Sequence, residues 1–206
     1  IRQGRVTFEG DDRQLPINHH DGPDPRQAHA IHGVSFDRPW RIDEVSDTSC
    51  VCSIRLDWEF GGVATQTVAV FGDQVVVALL LESTGADLPA EIGWHPWFLK
   101  PDSLEFSPTA MYERDDVGLP TGALVEPTDG PWDDCFVNTA PIVLRYDRPT
   151  AAEVAVGSDC DHWVVFDQPD HATCVEPQSG PPDAFNLTPH VVTPGAPLHR
   201  TMTISW

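Results

Sequence analysis

Positive charge is what this 206-residue sequence lacks most: 12 Lys and Arg stand against 32 Asp and Glu, a formal net charge of −20. A surface so negative repels phosphate backbones and anionic lipid heads, which excludes nucleic acid and the membrane surface as partners. It also weighs against a phosphorylated substrate unless a local basic pocket overrides the global field. Long apolar runs are missing as well; none approaches the ~18 residues that a membrane span needs. No basic-then-apolar leader opens the chain. The five cysteines, Cys50, Cys52, Cys135, Cys160 and Cys174, form no Cys-x-x-Cys pair. Neither a zinc knuckle nor a redox dithiol is therefore written in them, and they read as reduced core thiols of a cytoplasmic protein. His-x-His and His-Glu-x-x-His are absent, and His19 and His20 stand together in a polar loop. No metal and no other cofactor is expected.

Uninterrupted stretches are scarce too. The 20 prolines and 15 glycines are spread from end to end, and helices of useful length rarely survive that density of breakers. Strand patterns are plentiful. Cys52, Ile54, Leu56, Trp58 and Phe60 alternate with Ser53, Arg55, Asp57 and Glu59, which predicts a half-buried strand. Met202, Ile204 and Trp206 alternate with Thr201, Thr203 and Ser205 in the same way. Residues 74–82, QVVVALLLE, form a short continuous apolar run suited to a strand covered on both faces. Weaker strand signals cover 5–9, 65–71, 141–146, 163–166 and 172–175. Many short strands between turn-rich segments predict an all-β sandwich or barrel. At this length a single domain over 1–206 is expected. The polar stretch 18–29 reads as a loop rather than a boundary.

Four segments place reactive polar groups among glycine, proline and aromatics. They are AIHG at 30–33, GWHPWF at 93–98, GPWDDCFVN at 130–138 and CVEPQSGPPDAFN at 174–186. Taken alone, His32 reads as a turn residue and His95 as a satisfied core histidine. Asp133 and Asp134 read as a solvated turn, and Trp94 and Trp97 as plain core. Glu176 follows an apolar stretch and precedes Pro177, so it is expected where a strand ends and a rigid loop begins. A carboxylate there can project into a cleft.

Together the four segments resemble the aldose 1-epimerases, in order and in separation, from Ile1 to Trp206. GWHPWF is similar to that family's Gly-x-His-Pro-aromatic-Phe motif, and CVEPQSGPPDAFN to its Glu-x-Gln … Pro-Asp-Ala-x-Asn segment. AIHG is similar to its Leu-His-Gly, and DDCF to its Asp-x-x-Phe. The resemblance implies a galactose mutarotase-like β-sandwich, the supersandwich, and an isomerase of carbohydrate metabolism that opens and recloses a pyranose ring. It implies that Glu176 takes the C1 hydroxyl proton and that His95 protonates the ring oxygen. His32 is then a substrate ligand near that oxygen. Asp133, or Asp134 if the register differs by one, accepts from sugar hydroxyls, and Gln178 belongs to the same motif. Trp94 and Trp97 are candidate walls for the apolar face of a sugar.

The implied partner is a small-molecule sugar, and a homodimer is left open. Family members carry an Asn-Arg pair immediately before the isoleucine numbered 1 here, and that arginine binds substrate. The chain is accordingly expected to be N-terminally incomplete. A hexose-6-phosphate 1-epimerase is the nearest alternative, and it would need convergent basic groups drawn from Arg26, Arg38, Arg41 and Lys100. A non-catalytic carbohydrate-binding relative is the other, and it would have replaced the base that Glu176 supplies.

Overall fold

A computed structural model describes residues 1–20, 23–147 and 151–206; Asp21 and Gly22, within the predicted polar loop, lie outside the described residues. The chain opens with strands β1 (Arg5–Phe8), β2 (Asp11–Gln14), β3 (His19–His20), β4 (Ala28–His29), β5 (Arg41–Val45) and β6 (Ser49–Arg55). It continues through β7 (Val63–Phe71), β8 (Gln74–Glu82), β9 (Leu88–Ala90), β10 (Trp97–Leu99), β11 (Ser103–Glu105), β12 (Ala110–Arg114) and β13 (Pro120–Val125). The last strands are β14 (Asp133–Val137), β15 (Ile142–Tyr146), β16 (Ala152–Ser158), β17 (His162–Phe166), β18 (Ala172–Gln178), β19 (His190–Val192) and β20 (Leu198–Ser205). One short helix, α1 (Ala184–Leu187), precedes β19. The all-β expectation holds.

Two large sheets dominate. Eight strands run in the order β11-β15-β16-β20-β8-β7-β6-β5, and six in the order β10-β18-β17-β14-β12-β13. Their inner faces meet. Val77, Ile142, Leu144, Val156 and Met202 of the first sheet pack against Phe136, Trp163, Val165 and Val175 of the second. All nine are at most 8% exposed, and burial at this level supplies the main drive to fold. A second cluster, with Leu79, Leu81, Leu88, Ile92 and Val192, extends the core beneath the small β9–β19 ribbon.

Two of the three strong strand patterns coincide with strands. The apolar run is β8, its residues alternating between buried and half-buried, and the C-terminal alternation lies in β20. The 52–60 pattern is cut short, because β6 ends at Arg55. Gly61 and Gly62 then take positive φ, and the amide of Leu56 donates to the carbonyl of Gly62. Trp58 and Phe60 reach the core from this turn instead of from a strand.

Alternation across the six-stranded sheet decides where chemistry can sit. Val175 of β18 and both Trp163 and Val165 of β17 face the core, so their neighbours in the chain face outward. The register pairs Glu176 with Val164, Cys174 with Phe166, and Phe166 with Asp133. Cys174, Glu176, Gln178 and Asp133 therefore share the face turned away from the sandwich core.

Candidate active site

Glu176 lies inside β18 and not at its end. The strand continues through Pro177 to Gln178, contrary to the expectation that Pro177 starts a loop. Proline is tolerated because the Pro177 carbonyl accepts from the amide of Trp94. Its nitrogen points to that same side, away from the ladder with β17, so no sheet hydrogen bond is lost. The strand holds the carboxyl rigidly on the outer face.

Chain segments cover that face. Gly93 bridges to Gln178 and Trp97 pairs with Cys174, so the segment from Gly93 to Trp97 runs beside β18 and brings His95 level with Glu176. A Cβ on Gly93 would come within 2.7 Å of the Pro177 carbonyl oxygen, so only glycine allows this approach. From the other side comes the turn at His32, where φ is +63 and Gly33 follows at +73. A left-handed histidine costs roughly 1–2 kcal/mol, and this one stacks edge-on against His95 with ring centroids 5.1 Å apart. Beneath these covers Glu176 is only 5% exposed.

The groups then meet at bonding distance. His95 Nε2 lies 3.1 Å from Glu176 Oε1, and Gln178 Nε2 donates to Glu176 Oε2 at 3.3 Å. The other ring nitrogen, Nδ1, lies 3.0 Å from the sulfur of Cys174. That thiol donates to the Pro96 carbonyl at 3.1 Å. With the thiol proton so committed, Nδ1 carries a hydrogen toward sulfur and Nε2 is left as the acceptor. Burial pushes Glu176 up to about 8, with the Asp133 charge adding and the Gln178 hydrogen bond opposing. Desolvation also holds His95 below the ordinary imidazole range. It does the same for His32, with the neighbouring His95 charge as a second cause. At neutral pH one proton is thus shared across the His95–Glu176 contact.

Other predicted residues fall into place around this contact. Trp97 is half exposed, its ring 5.7 Å from that of His95 and edge-on to Phe166. Trp94 lies on the other side of the segment: its indole donates to Gln66 Oε1 of β7 at 3.2 Å and packs against both core clusters. Asp133 shares the outer face, two strands from Cys174 and so about 10 Å across the sheet. Asp134 has the opposite parity, and Arg114 reaches both, with Nη2 3.8 Å from Asp133 Oδ2 and Nη1 3.4 Å from Asp134 Oδ1.

A cavity of about 230 Å³ opens beside the carboxyl–imidazole contact and not over it. Its walls include His29, Tyr112, Arg114, Asp133 and Val164, and Val164 is the cross-strand neighbour of Glu176. Asp183, in the motif after Glu176, is structural. It is 4% exposed, accepts from the amide of Arg2 at 2.9 Å and from Asn186 Nδ2 at 2.7 Å, and so pins the N-terminal segment to the turn between β18 and α1.

Two observations were not reached from sequence. Cys174 contacts the imidazole, whereas its sequence neighbours suggest only a core thiol; its place two residues before Glu176 on a strand is the available signal. Among the described residues, His95, Cys174 and Glu176 offer one metal-binding atom each within 4.8 Å of one another. Motif searches miss this trio because a loop and a strand contribute to it.

The family model for aldose 1-epimerase matches residues 1–205. The chain belongs to the aldose 1-epimerase family. No curated protein sequence matches it. Solved structures do. An Escherichia coli K12 protein assigned provisionally to the aldose 1-epimerases superposes with a TM-score of 0.80 at 19% identity, covering 98% of this chain and 78% of its own. A galactose mutarotase-like protein from Lactobacillus casei ATCC 334 gives 0.76 at 14% identity, covering 99% and 80%. A galactose mutarotase related enzyme from Lactobacillus acidophilus gives 0.70 at 14% identity, covering 98% and 77%. The fold of this family member is thus galactose mutarotase-like. No helix among the described residues is long and apolar enough to cross a membrane.

Proposed function

We propose that this aldose 1-epimerase family member interconverts the α and β anomers of a free aldohexose by acid/base ring opening. The observation that carries the reading is the 3.1 Å contact between His95 Nε2 and a buried carboxyl, Glu176. Opening a pyranose needs one group to take the C1 hydroxyl proton and another to protonate the ring oxygen as it leaves. One proton shared between two groups supplies both states at once. In the form with the proton on His95, Glu176 is the base and His95 the acid. The C1–C2 bond then rotates, and the reverse transfers close the ring on the other face of the carbonyl. Because the reaction returns every proton, the pair ends as it began.

His32, edge-on to His95, lies where it can donate to the developing alkoxide at the ring oxygen. Asp133, on the same face, accepts from hydroxyls at the far side of the sugar. Trp97 offers a half-exposed ring to its apolar face.

A free sugar fits better than a phosphorylated one. Arg26 is paired with Asp24 and Asp116, Arg38 with Asp57, and Arg41 with Asp43. Lys100 faces Asp167. None of these four is left over for a phosphate, and Arg114, on the cavity wall, is engaged by Asp133 and Asp134.

The test is polarimetry of freshly dissolved α-D-glucose and α-D-galactose with the protein, corrected for uncatalysed mutarotation. Glu176→Gln keeps the shape and the contact with Gln178 but cannot take a proton. The expected loss is on the order of 10²–10⁴-fold in kcat with sugar binding retained. His95→Asn is expected to cost a similar factor. Near wild-type rates in both variants would remove the acid/base assignment.

A further inference from the structure

The geometry points to a soft divalent cation site, of the kind zinc occupies, formed by His95, Cys174 and Glu176 in direct competition with ring opening. Its consequence for activity rests on the proposed roles of His95 and Glu176; the binding itself does not. Cys174 and Glu176 stand two residues apart on β18 and share a face. The ring of His95, on the segment beside β18, reaches both, with Nδ1 3.0 Å from the sulfur and Nε2 3.1 Å from the carboxylate oxygen. One thiol, one imidazole nitrogen and one carboxylate are a zinc-type donor set. In a tetrahedral zinc site such donors lie about 3.4–3.6 Å apart, as metal bonds of ~2.0–2.3 Å require. The atoms offered here already lie within 4.8 Å of one another, and a turn of the His95 ring that presents one nitrogen to both partners closes the site.

Two further features favour a cation. Cys174 and Glu176 are 0% and 5% exposed, while the His95 side chain is 37% exposed and leaves a way in. Three protein donors also leave a fourth position for water or a sugar hydroxyl. The net charge of −20 draws cations to the protein generally.

The balance closes. Before binding, the thiol, one ring nitrogen and the carboxyl hold three protons among them. After binding, the ring keeps one on its free nitrogen, and two leave to solvent. A doubly charged ion then meets one thiolate and one carboxylate, and the buried site is neutral. With Glu176 and His95 both engaged by the ion, neither can exchange protons with a sugar. The metal-free protein is the active form, and zinc is its inhibitor.

The experiment titrates the EDTA-treated, desalted protein with Co²⁺, and follows absorbance and mutarotation together. Expected is one equivalent bound with a thiolate-to-cobalt charge-transfer band, displaced by Zn²⁺. Each variant's activity with the ion is compared with its own metal-free activity. Inhibition should follow occupancy and reverse with EDTA. Cys174→Ser should remove the band and weaken Co²⁺ binding on the order of 100-fold, since thiolate is the softest donor. His95→Asn provides a second variant should the first fold poorly, and it too should abolish tight binding. No band in the parent protein, or a band that survives Cys174→Ser because Cys50 or Cys52 supplies the thiolate, would overturn the site. Binding with full activity retained would overturn the competition. A band lost in Cys174→Ser while His95→Asn remains a fully active mutarotase would instead keep the site and overturn the catalytic reading.

Discussion

The Nε2 of His95 lies 3.1 Å from Oε1 of Glu176, close enough that the pair titrates as a unit. Burial raises the carboxyl to about 8 and desolvation lowers the imidazole. The singly protonated pair is therefore the form present around neutral pH. Adding a second proton charges the imidazole below its ordinary range of about 6.5, and removing the last one occurs near 8. The profile of kcat/KM against pH should be a bell with these two limbs. In Glu176→Gln the residual rate should lose the acid limb, because no base is left to be protonated, and the alkaline limb should move down to the deprotonation of His95, which desolvation holds below the ordinary imidazole range. A parent profile flat from about pH 5 to 9 would contradict the shared proton.

The same carboxyl ties stability to pH. Glu176 in the folded protein keeps its proton up to about 8, whereas in the unfolded chain it loses it near 4.3. Between those values the folded state binds more protons, so stability falls as pH rises through this window and levels off above it. The slope from one such group is at most ~1.4 kcal/mol per pH unit. Glu91, also raised to about 8 by desolvation, adds a second contribution of the same sign. Thermal melts between pH 5 and 8.5 should show the decline. Glu176→Gln should flatten part of it, the remainder coming from Glu91.

What the sequence made legible follows from what each strand buries. β8 and β20 line the inner face of a sheet, and their apolar residues announce them. β5, Arg41–Val45, is exposed at every position and carries no apolar pattern to read. The 52–60 alternation overran because Trp58 and Phe60 reach the core from a turn set by Gly61 and Gly62, and alternation cannot distinguish that route from a strand. At the site, His95 and Glu176 were named from their motifs, but the bond between them joins a loop to a strand 81 residues further on. Pro177 suggested a strand end because which side its nitrogen faces is a property of the register. Trp94 and Trp97 flank one histidine in sequence and part company in space, one held by Gln66 and the other half exposed.

Trp97 gives a test that separates binding from chemistry. Its ring lies 5.7 Å from His95 and leaves half its surface open. Trp97→Ala removes a platform and no proton-transfer group. KM should rise roughly 2- to 10-fold, the worth of an aromatic contact, with kcat little changed. Trp97→Phe should restore most of the loss. A fall in kcat with KM unchanged would mean that the ring positions His95 and does not hold sugar.

Asp183 should matter for architecture. It adopts a left-handed conformation, φ 65, at 4% exposure. Its Oδ1 accepts from the Arg2 amide at 2.9 Å and from Asn186 at 2.7 Å, while the Arg2 guanidinium lies 3.7 Å from Oδ2. Asp183→Ala leaves these donors unmet and places alanine where asparagine and aspartate are better tolerated. The expected destabilisation is about 1–3 kcal/mol. Asp183→Asn keeps both the acceptor and the tolerance for positive φ and should recover most of it. The consequence should reach the site, because the Arg2 tie holds the segment that leads through β4 to His32, with the Gln3 amide donating to His29 Nδ1. Hydrogen exchange at the Arg2 and Gln3 amides should accelerate in Asp183→Ala, and mutarotation should weaken mainly through KM. Unchanged melting and exchange in that variant would show that the contact is incidental and that the segment is held by other means.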